Sequence, residues 1–411
     1  MRKTVVIIGG GPAGLAAAVR LYDEGIRDIL IVEREKYLGG ILRQCIHDGF
    51  GLTRFEATLS GPEYAQRFID EVVERGIDYV TDTTVIDITA GKVVTAVSVR
   101  GLEQYQAAVV ILAMGCRERT RHALSIPGTR PAGIYTAGVA QAYVNLRNIM
   151  PGKEVIILGS GDIGMIMARR MTLEGAHVQG VFEVQPYPSG LPRNIEQCLN
   201  DFDIPLYLSH TVVDIIGTSR LEGVTIAEVD EHLRPVSGTE VTHICDTLIL
   251  SVGLIPENEL SLAAGVELDS RTGGALVDEA YHTSAEGIFA AGNVLQVHDL
   301  VDFVSLEGER LARAVVEYLN GRRVKSTACI AVVCDPLIGY TVPQHITGEK
   351  DFVLSLRIRR PLRNCVIELQ ADGLSIQKVK MKKALPAEMI QIPVKADTVR
   401  NAGRVEVKVL C

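Results

Sequence analysis

Val5-Val6-Ile7-Ile8-Gly9-Gly10-Gly11-Pro12-Ala13-Gly14 is echoed 150 residues later by Val155-Ile156-Ile157-Leu158-Gly159-Ser160-Gly161-Asp162-Ile163-Gly164. The register continues beyond these stretches: Ala18 matches Ala168, Arg20 matches Arg170, Glu24 matches Glu174, Gly25 matches Gly175, and Glu33 matches Glu183. Each copy reads as an apolar strand, a glycine turn, an amphipathic helix, a Gly-containing turn and a second strand (28–32 and 178–182) followed by glutamate. Self-similarity at a fixed offset predicts one architecture used twice.

Each element of the pattern has a physical role. The first glycine (Gly9, Gly159) permits the tight turn, the second (Gly11, Gly161) lets a pyrophosphate approach the backbone, and the third (Gly14, Gly164) lets helix pack on strand. The helix N-terminus offers unpaired N–H groups and the positive end of its dipole to phosphate. The glutamate, 24 residues after the first glycine in both copies, can accept a hydrogen bond from a ribose 2′-hydroxyl. A basic residue serves that corner when a 2′-phosphate must be held, so Glu183 favours NAD over NADP. Asp162 brings a negative charge to the second turn, where it either repels a pyrophosphate or points away as an N-cap.

Composition excludes several function classes. The 411 residues carry 42 basic and 50 acidic side chains, a net charge of −8, so no basic footprint for nucleic acid is present. No run approaches the 18 or so apolar residues of a membrane-spanning helix. Arg2 and Lys3 before the uncharged run 4–19 mimic a secretion signal, but the glycine-proline cluster inside it breaks an apolar helix. Eight scattered cysteines do not form a secreted disulfide framework, and a cytoplasmic location is expected.

Two further paired segments, Val109–Gly115 (VVILAMG) and Thr247–Gly253 (TLILSVG), end each unit as buried strands running into glycine, and Ile288–Val294 (IFAAGNV) follows later. With these the chain resembles the pyridine nucleotide-disulfide oxidoreductase superfamily over residues 4–322. The resemblance implies an α/β fold of two Rossmann-like domains plus a small C-terminal β domain. A discontinuous FAD domain (1–121 and 280–325) would hold an inserted NAD(P)-binding-like domain (122–279), with 326–411 beyond. It implies FAD contacts at Gly9, Gly11, Pro12, Ala13, Gly14, Glu33 and Arg34, then at Gly40, Val85, Ala113, Gly115, Gly292 and Asn293. NAD(H) contacts would fall on Gly159, Gly161, Gly164 and Glu183. The family usually carries aspartate where Asn293 stands; asparagine still donates and accepts hydrogen bonds there.

The redox disulfide of the family is missing. After Gly39-Gly40 the run Ile41-Leu42-Arg43-Gln44-Cys45-Ile46-His47 has one cysteine, and 133–139, where a CxxC would fall, has none. A dithiol mechanism needs two sulfurs within bridging reach. Cys329 and Cys334 form a CxxxxC, but on an apolar run where a buried structural pair is the plainer expectation. The undivided string GGILRQCIHDGFG, with 134–142 and 186–199, is similar to the FAD subunits of heteromeric dehydrogenases. These include the flavoprotein components of opine oxidase and hydrogen cyanide synthase, D-hydroxyproline dehydrogenase relatives and the flavoprotein accompanying bacterial glycerol-3-phosphate dehydrogenase. That resemblance implies a partner dehydrogenase subunit, together with a small cysteine-containing electron-transfer protein. Some such relatives hold an iron–sulfur cluster; here Cys329, Cys334, Cys365 and Cys411 lack a familiar ligand spacing, and no metal is assigned.

Cys45 and His47 are candidate catalytic residues lining the flavin, against plain structural roles. His298 is a third, oriented by Asp299 and able as an imidazolium to stabilise a reduced anionic flavin; the alternative for Asp299 is a helix cap. A helix over 305–319 is expected to return to the first domain. Alternation at 353–359 and 402–409 indicates half-buried strands of a β-sandwich-like domain. Its basic residues Arg357, Arg359, Arg360, Lys378, Lys380, Lys382 and Lys383 form either a solvated face or a dock for an acidic partner. Three activities compete: an FAD relay between NAD(H) and a partner handling a glycerol-3-phosphate, amino-acid or opine substrate; a stand-alone NADH oxidase or reductase; and a flavin-bearing structural or regulatory protein with an inactive NAD site.

Overall fold

A computed structural model describes residues 1–321 and 329–411. The chain forms two compact units, Met1–Cys116 with Pro256–Cys411, and Arg117–Ile255.

In the first unit the glycine-turn repeat builds a seven-stranded sheet. Its parallel core runs Asp78–Val80, Ile29–Val32, Arg2–Ile8, Gly101–Leu112 and Ile288–Ala290. Val93–Ser98 and Thr84–Ile88 extend it antiparallel. Alternate residues of the first strand enter different cores: Val5 and Ile7 pack with helix residues Leu15, Ala16 and Leu311, while Val6 and Ile8 pack with Val94, Ala275 and Val277. Both faces are covered, which is why the strand reads as an unbroken apolar run. Arg2–Ile8 lies between Ile29–Val32 on one side and Gly101–Leu112 on the other, so the strand order reverses beside it. Ligands of open parallel sheets bind at such a switch point, outside the strand C-termini.

The second unit repeats the plan. Ile134–Thr136, Thr247–Leu250, Glu154–Leu158, His177–Glu183 and Leu206–Leu208 form a parallel sheet in that order. An antiparallel trio, His210–Gly217, Leu221–Glu228 and Val241–Ile244, accompanies it. Helices Pro12–Asp23 and Asp162–Leu173 keep the sequence offset, and both end alike: Gly25 N–H donates to Tyr22 and Gly175 N–H to Thr172, with both glycines at positive φ (99° and 89°).

Residues 256–279, expected in the inserted domain, lie in the first unit, because Ala264, Val266, Ala275 and Val277 cover the Val6–Ile8 face of its sheet. Residues 117–121, expected in the first domain, lie in the second unit. The boundary expected between 325 and 326 falls outside the described residues. The returning helix is Val301–Leu319, starting a turn earlier than expected. Its Gly308 is needed for close approach: a Cβ there would lie 2.5 Å from the Ala13 carbonyl oxygen.

From residue 330 onward a separate core joins a five-stranded and a three-stranded sheet, as the alternation predicts. The expected strands are Phe352–Ile358 and Arg404–Leu410. Among the described residues no helix is long and apolar enough to cross a membrane.

Candidate functional site

The first glycine turn is shaped by backbone contacts that only glycine allows. Gly9 has φ +106°, and a Cβ on it would lie 2.3 Å from the Ala113 carbonyl oxygen. A Cβ on Gly14 would lie 2.0 Å from the Gly9 carbonyl oxygen, so helix and strand touch through this pair. Gly11 differs. Its φ of −83° suits any residue, and the nearest heavy atom to an added Cβ is 3.9 Å away. The protein itself does not require glycine at 11, whereas a ligand lying on the turn does. Helix Pro12–Asp23 begins there with proline in its first turn and no side-chain cap, leaving its first N–H groups to an anion. The residues present therefore fit the pyrophosphate of FAD.

Segments far apart in sequence converge on this turn. Ala113 N–H donates to the Ile8 carbonyl (2.9 Å), and Gly39 N–H donates to the Gly10 carbonyl (2.8 Å). A Cβ on Gly40 would lie 3.0 Å from Gly11 Cα, and one on Gly292 would lie 2.9 Å from Ala13 Cβ. Gly9, Gly11, Pro12, Ala13, Gly14, Gly40, Ala113 and Gly292 are thus gathered around one turn. Gly115, at φ +74°, accepts from Glu257 N–H (3.1 Å). Glu33 is 5% exposed and accepts from Gly10 N–H (2.7 Å) and Glu35 N–H (2.8 Å), which ties the end of the second strand to the turn. Both oxygens retain a lone pair for a ribose hydroxyl. Two expected contacts stand apart in character. Arg34 is an exposed side chain beside Glu35, and the Val85 side chain is committed to the core with Val6 and Val94.

The second turn keeps this geometry. Gly159 has φ +96° with the Ser251 carbonyl oxygen 2.0 Å from an added Cβ, and Gly164 abuts Gly159 and Ser251. Helix Asp162–Leu173 also starts without a side-chain cap. Glu183, 3% exposed, accepts from Ser160 N–H (3.0 Å), Ser160 hydroxyl (2.6 Å), Ser189 hydroxyl (2.8 Å) and Gln185 N–H (2.9 Å). Asp162 is turned aside: one oxygen accepts from Leu191 N–H (2.7 Å) and Asn194 Nδ2 (2.6 Å). Its charge is directed to the 191–194 segment and is not aimed over the helix end.

The three candidate catalytic residues fare differently. Cys45 Sγ donates to the Ile41 carbonyl (3.4 Å), and burial pushes its thiol up to about 12. His47 is half-buried, its Nδ1 is 3.1 Å from the Asp48 carbonyl, and its ring lies 4.9 Å from that of Phe50. His298 is sealed in: its side chain is 1% exposed, with Nδ1 3.3 Å from Asn293 Oδ1 and Nε2 3.4 Å from Glu307. The expectation that Asp299 orients His298 is corrected. Asp299 instead accepts from Arg357 (3.2 Å) and Met389 N–H (3.3 Å), because the C-terminal sheet brings a guanidinium to it. Nor does Asp299 cap the returning helix, whose N-cap is Leu300. Asn293 takes the orienting role; it also accepts from His298 N–H (3.0 Å) and donates to Cys116 Sγ (3.6 Å).

Sequence reasoning missed Glu307 and Asp302 and read Arg357 only as one of a basic group. Glu307, 2% exposed, accepts from Gly292 N–H (2.7 Å) and Gln296 Nε2 (2.8 Å), fixing the third motif from beneath. The available signal was a carboxylate within the buried stripe Val304, Gly308, Leu311, Val315 of an amphipathic helix. Asp302 accepts from Gly51, Thr53 and Arg54 N–H groups, pinning the 51–54 loop. Arg357 donates to the carbonyls of Val297, Pro386 and Ala387 as well as to Asp299, so it does not belong to an exposed basic face. Cys329 is exposed and Cys334 ends the strand after it; five residues of extended chain set them roughly 16 Å apart. They do not bridge.

One prediction concerns Cys45. With its thiol held near 12, only about one molecule in 10⁵ carries a thiolate at pH 7, so iodoacetamide should label Cys45 far more slowly than exposed Cys329. The fold favours the protonated thiol, so this contribution to stability is complete below pH 9 and is lost as pH rises from there toward 12. Peptide mapping after timed alkylation tests it; labelling of Cys45 ahead of Cys329 contradicts it.

Comparison with known proteins places this geometry. The pyridine nucleotide-disulphide oxidoreductase profile matches residues 3–315. Hydrogen cyanide synthase subunit HcnB of Pseudomonas protegens is 28% identical over 76% of this chain and 68% of its own length. An opine oxidase subunit of Agrobacterium tumefaciens is 26% identical over 70% of this chain and 60% of its own. The CoA-dependent NAD(P)H sulfur oxidoreductase of Pyrococcus abyssi is 27% identical over 73% and 64%. The chain thus spans 60–68% of the length of these relatives. Thioredoxin reductase of T. acidophilum shares the fold, with a TM-score of 0.64 at 23% identity over 78% of this chain and 99% of that one. The chain belongs to the pyridine nucleotide-disulphide oxidoreductase family, whose members are oxidoreductases using FAD and NAD(P)H.

Proposed function

We propose that this protein relays electrons between NAD(H) and a partner subunit that handles the organic substrate. The observation that carries this reading is the lone cysteine beside the first glycine turn: Cys45 has a thiol held near 12, and no second sulfur follows it as the CxxxxC branch requires. A disulfide-reducing route needs two bridging sulfurs there, so electrons arriving at the first unit must leave by another acceptor. HcnB and the opine oxidase chain are by name subunits of larger enzymes, which supports a partner as that acceptor. FAD, when bound, supplies the two-electron chemistry with the nicotinamide.

The chain's own residues bind and orient. Gly9, Gly11 and Gly14 with the helix end at Pro12 and Ala13 take the FAD pyrophosphate, and Glu33 takes the ribose. Gly115, Gly292 and Asn293 would face the flavin, and Cys45, His47 and His298 would border it, with Asn293 and Glu307 holding His298 in place. Gly159, Gly161 and Gly164 take the NAD pyrophosphate. Glu183 is buried among neutral donors, and its negative charge opposes a 2′-phosphate. A stand-alone NADH reductase is the second reading, favoured by the likeness to the Pyrococcus enzyme.

Anaerobic titration of the FAD-loaded protein tests the scheme. NADH is expected to bleach the flavin band stoichiometrically, and NADPH at least tenfold less efficiently, as one unfavourable charge contact of about 1.4 kcal/mol requires. Failure of NADH to bleach a dithionite-reducible flavin would remove the NAD(H) branch. Affinity purification from the native host then separates the two readings: a co-purifying dehydrogenase subunit supports the relay, and rapid turnover by the isolated chain with oxygen or a quinone supports the reductase.

A further inference from the structure

The C-terminal domain brings together two cysteines that lie far apart in sequence. Strands Leu362–Ala371 and Arg404–Leu410 pair antiparallel, with Val366 opposite Leu410, Ile367 opposite Val409 and Leu369 opposite Val407. Continuing this register by one residue sets Cys365 directly opposite Cys411. Opposed residues of an antiparallel pair point to the same face, with Cα atoms about 4.5–5.5 Å apart. That span lies within the range over which a disulfide closes. The phase agrees: Cys365, Ile367 and Leu369 on one strand and Val405, Val407 and Val409 on the other all face the core, and exposed Cys411 holds the next alternate position just past the strand end. Burial first, and then charge at Cys411, push the Cys365 thiol up. Cys365 is buried and Cys411 is exposed, so one sulfur of the pair can be reached from solvent. Cys334 lies elsewhere in the domain, paired beside Val407, four residues from Cys411 along the strand.

We propose that Cys365 and Cys411 are a cross-strand thiol pair that closes into a disulfide by exchange with a small-molecule disulfide. The exposed Cys411 thiolate attacks one sulfur of the reagent, forms a mixed disulfide and releases one small thiol. Cys365 then loses its proton to solvent and attacks Cys411 Sγ. The protein S–S bond forms, the mixed bond breaks, and the second small thiol leaves, taking up a proton. Two protein thiols are oxidised and one small disulfide is reduced to two thiols. Burial holds Cys365 protonated, so the closing step quickens as pH rises. The closed bond ties Arg404–Leu410, the strand between Ile330–Cys334 and Leu362–Ala371, to its neighbour.

The test uses the full folded chain and oxidised glutathione at pH 7 and pH 9. Samples are alkylated under native conditions, then unfolded, alkylated with a second reagent and mapped by mass spectrometry. The expected product is one linked peptide joining residues 365 and 411, lighter than the sum of its reduced parts by about 2 Da, two hydrogens. It should form severalfold faster at pH 9. Cys411→Ser is expected to abolish it and leave Cys365 open to the second reagent alone. Cys365→Ser is expected to stop at glutathione on Cys411, and circular dichroism confirms that this variant is folded. Wild-type protein that carries glutathione on Cys411 yet keeps Cys365 fully alkylatable at both pH values overturns the proposal, as does the linked peptide arising only after unfolding.

Discussion

Gly11→Ala should leave the protein folded and weaken its hold on FAD. The backbone at Gly11 (φ −83°, ψ −173°) is open to alanine, and the nearest atom to the new Cβ beyond its chain neighbours is Gly40 Cα at 3.9 Å. Loss of stability should stay at about 1 kcal/mol, the difference between glycine and alanine at a helix N-cap. The methyl instead intrudes on the surface where the pyrophosphate must lie against the helix end. Crowding of that size costs about 1–3 kcal/mol, which corresponds to a roughly 5- to 150-fold weaker FAD affinity. Titration of apo-protein with FAD by flavin fluorescence, beside a thermal melt, reads both effects. An unchanged FAD affinity at unchanged Tm would mean that this turn does not hold the cofactor.

Gly14→Ala, three residues on, is expected to fail in the opposite way. Alanine in a helix is worth about 1 kcal/mol over glycine, so propensity alone argues for stabilisation. The structure decides otherwise. The added Cβ would lie 2.0 Å from the Gly9 carbonyl oxygen and 3.1 Å from Ile7 Cγ2, and neither can step aside because Ile7 is fully buried in the sheet. Helix and strand must separate, at a cost of about 3 kcal/mol or more, a large share of a domain's total stability. Urea unfolding followed by circular dichroism should show a clear fall in midpoint, or the protein should be insoluble. A midpoint equal to wild type would show that the helix–strand contact is looser than described. Together the two variants separate the glycine that serves the ligand from the glycine that serves the fold.

Local sequence signals account for what can be read in advance. The glycine turns, the strand following each helix and the terminal glutamates depend on backbone conformation and burial within a short stretch of chain, so they leave a pattern in the string. Gly25 and Gly175 at the helix ends are legible for the same reason. The Ala113–Gly115 and Gly292–Asn293 segments are legible through their resemblance to known motifs. Residues 256–279 read as part of the wrong domain because Val266 and Val277 carry no local sign of which sheet they cover. Asp162 poses a question of direction that its residue type leaves open; hydrogen bonds from Leu191 and Asn194 answer it.

By itself, then, the chain's sequence determined two dinucleotide-binding units, the glycines that shape their turns and the absence of a cysteine pair beside the first. Each rests on short-range backbone geometry, which residue type constrains directly. Tertiary structure alone decided that Glu307 holds Gly292, that Asp302 pins the 51–54 loop, and that Asp299 belongs to Arg357 and not to His298. These are single polar contacts between elements separated in the chain. Their partners are set by how whole sheets and helices pack, and a side chain's identity says only that it needs a partner, not where the fold will supply one.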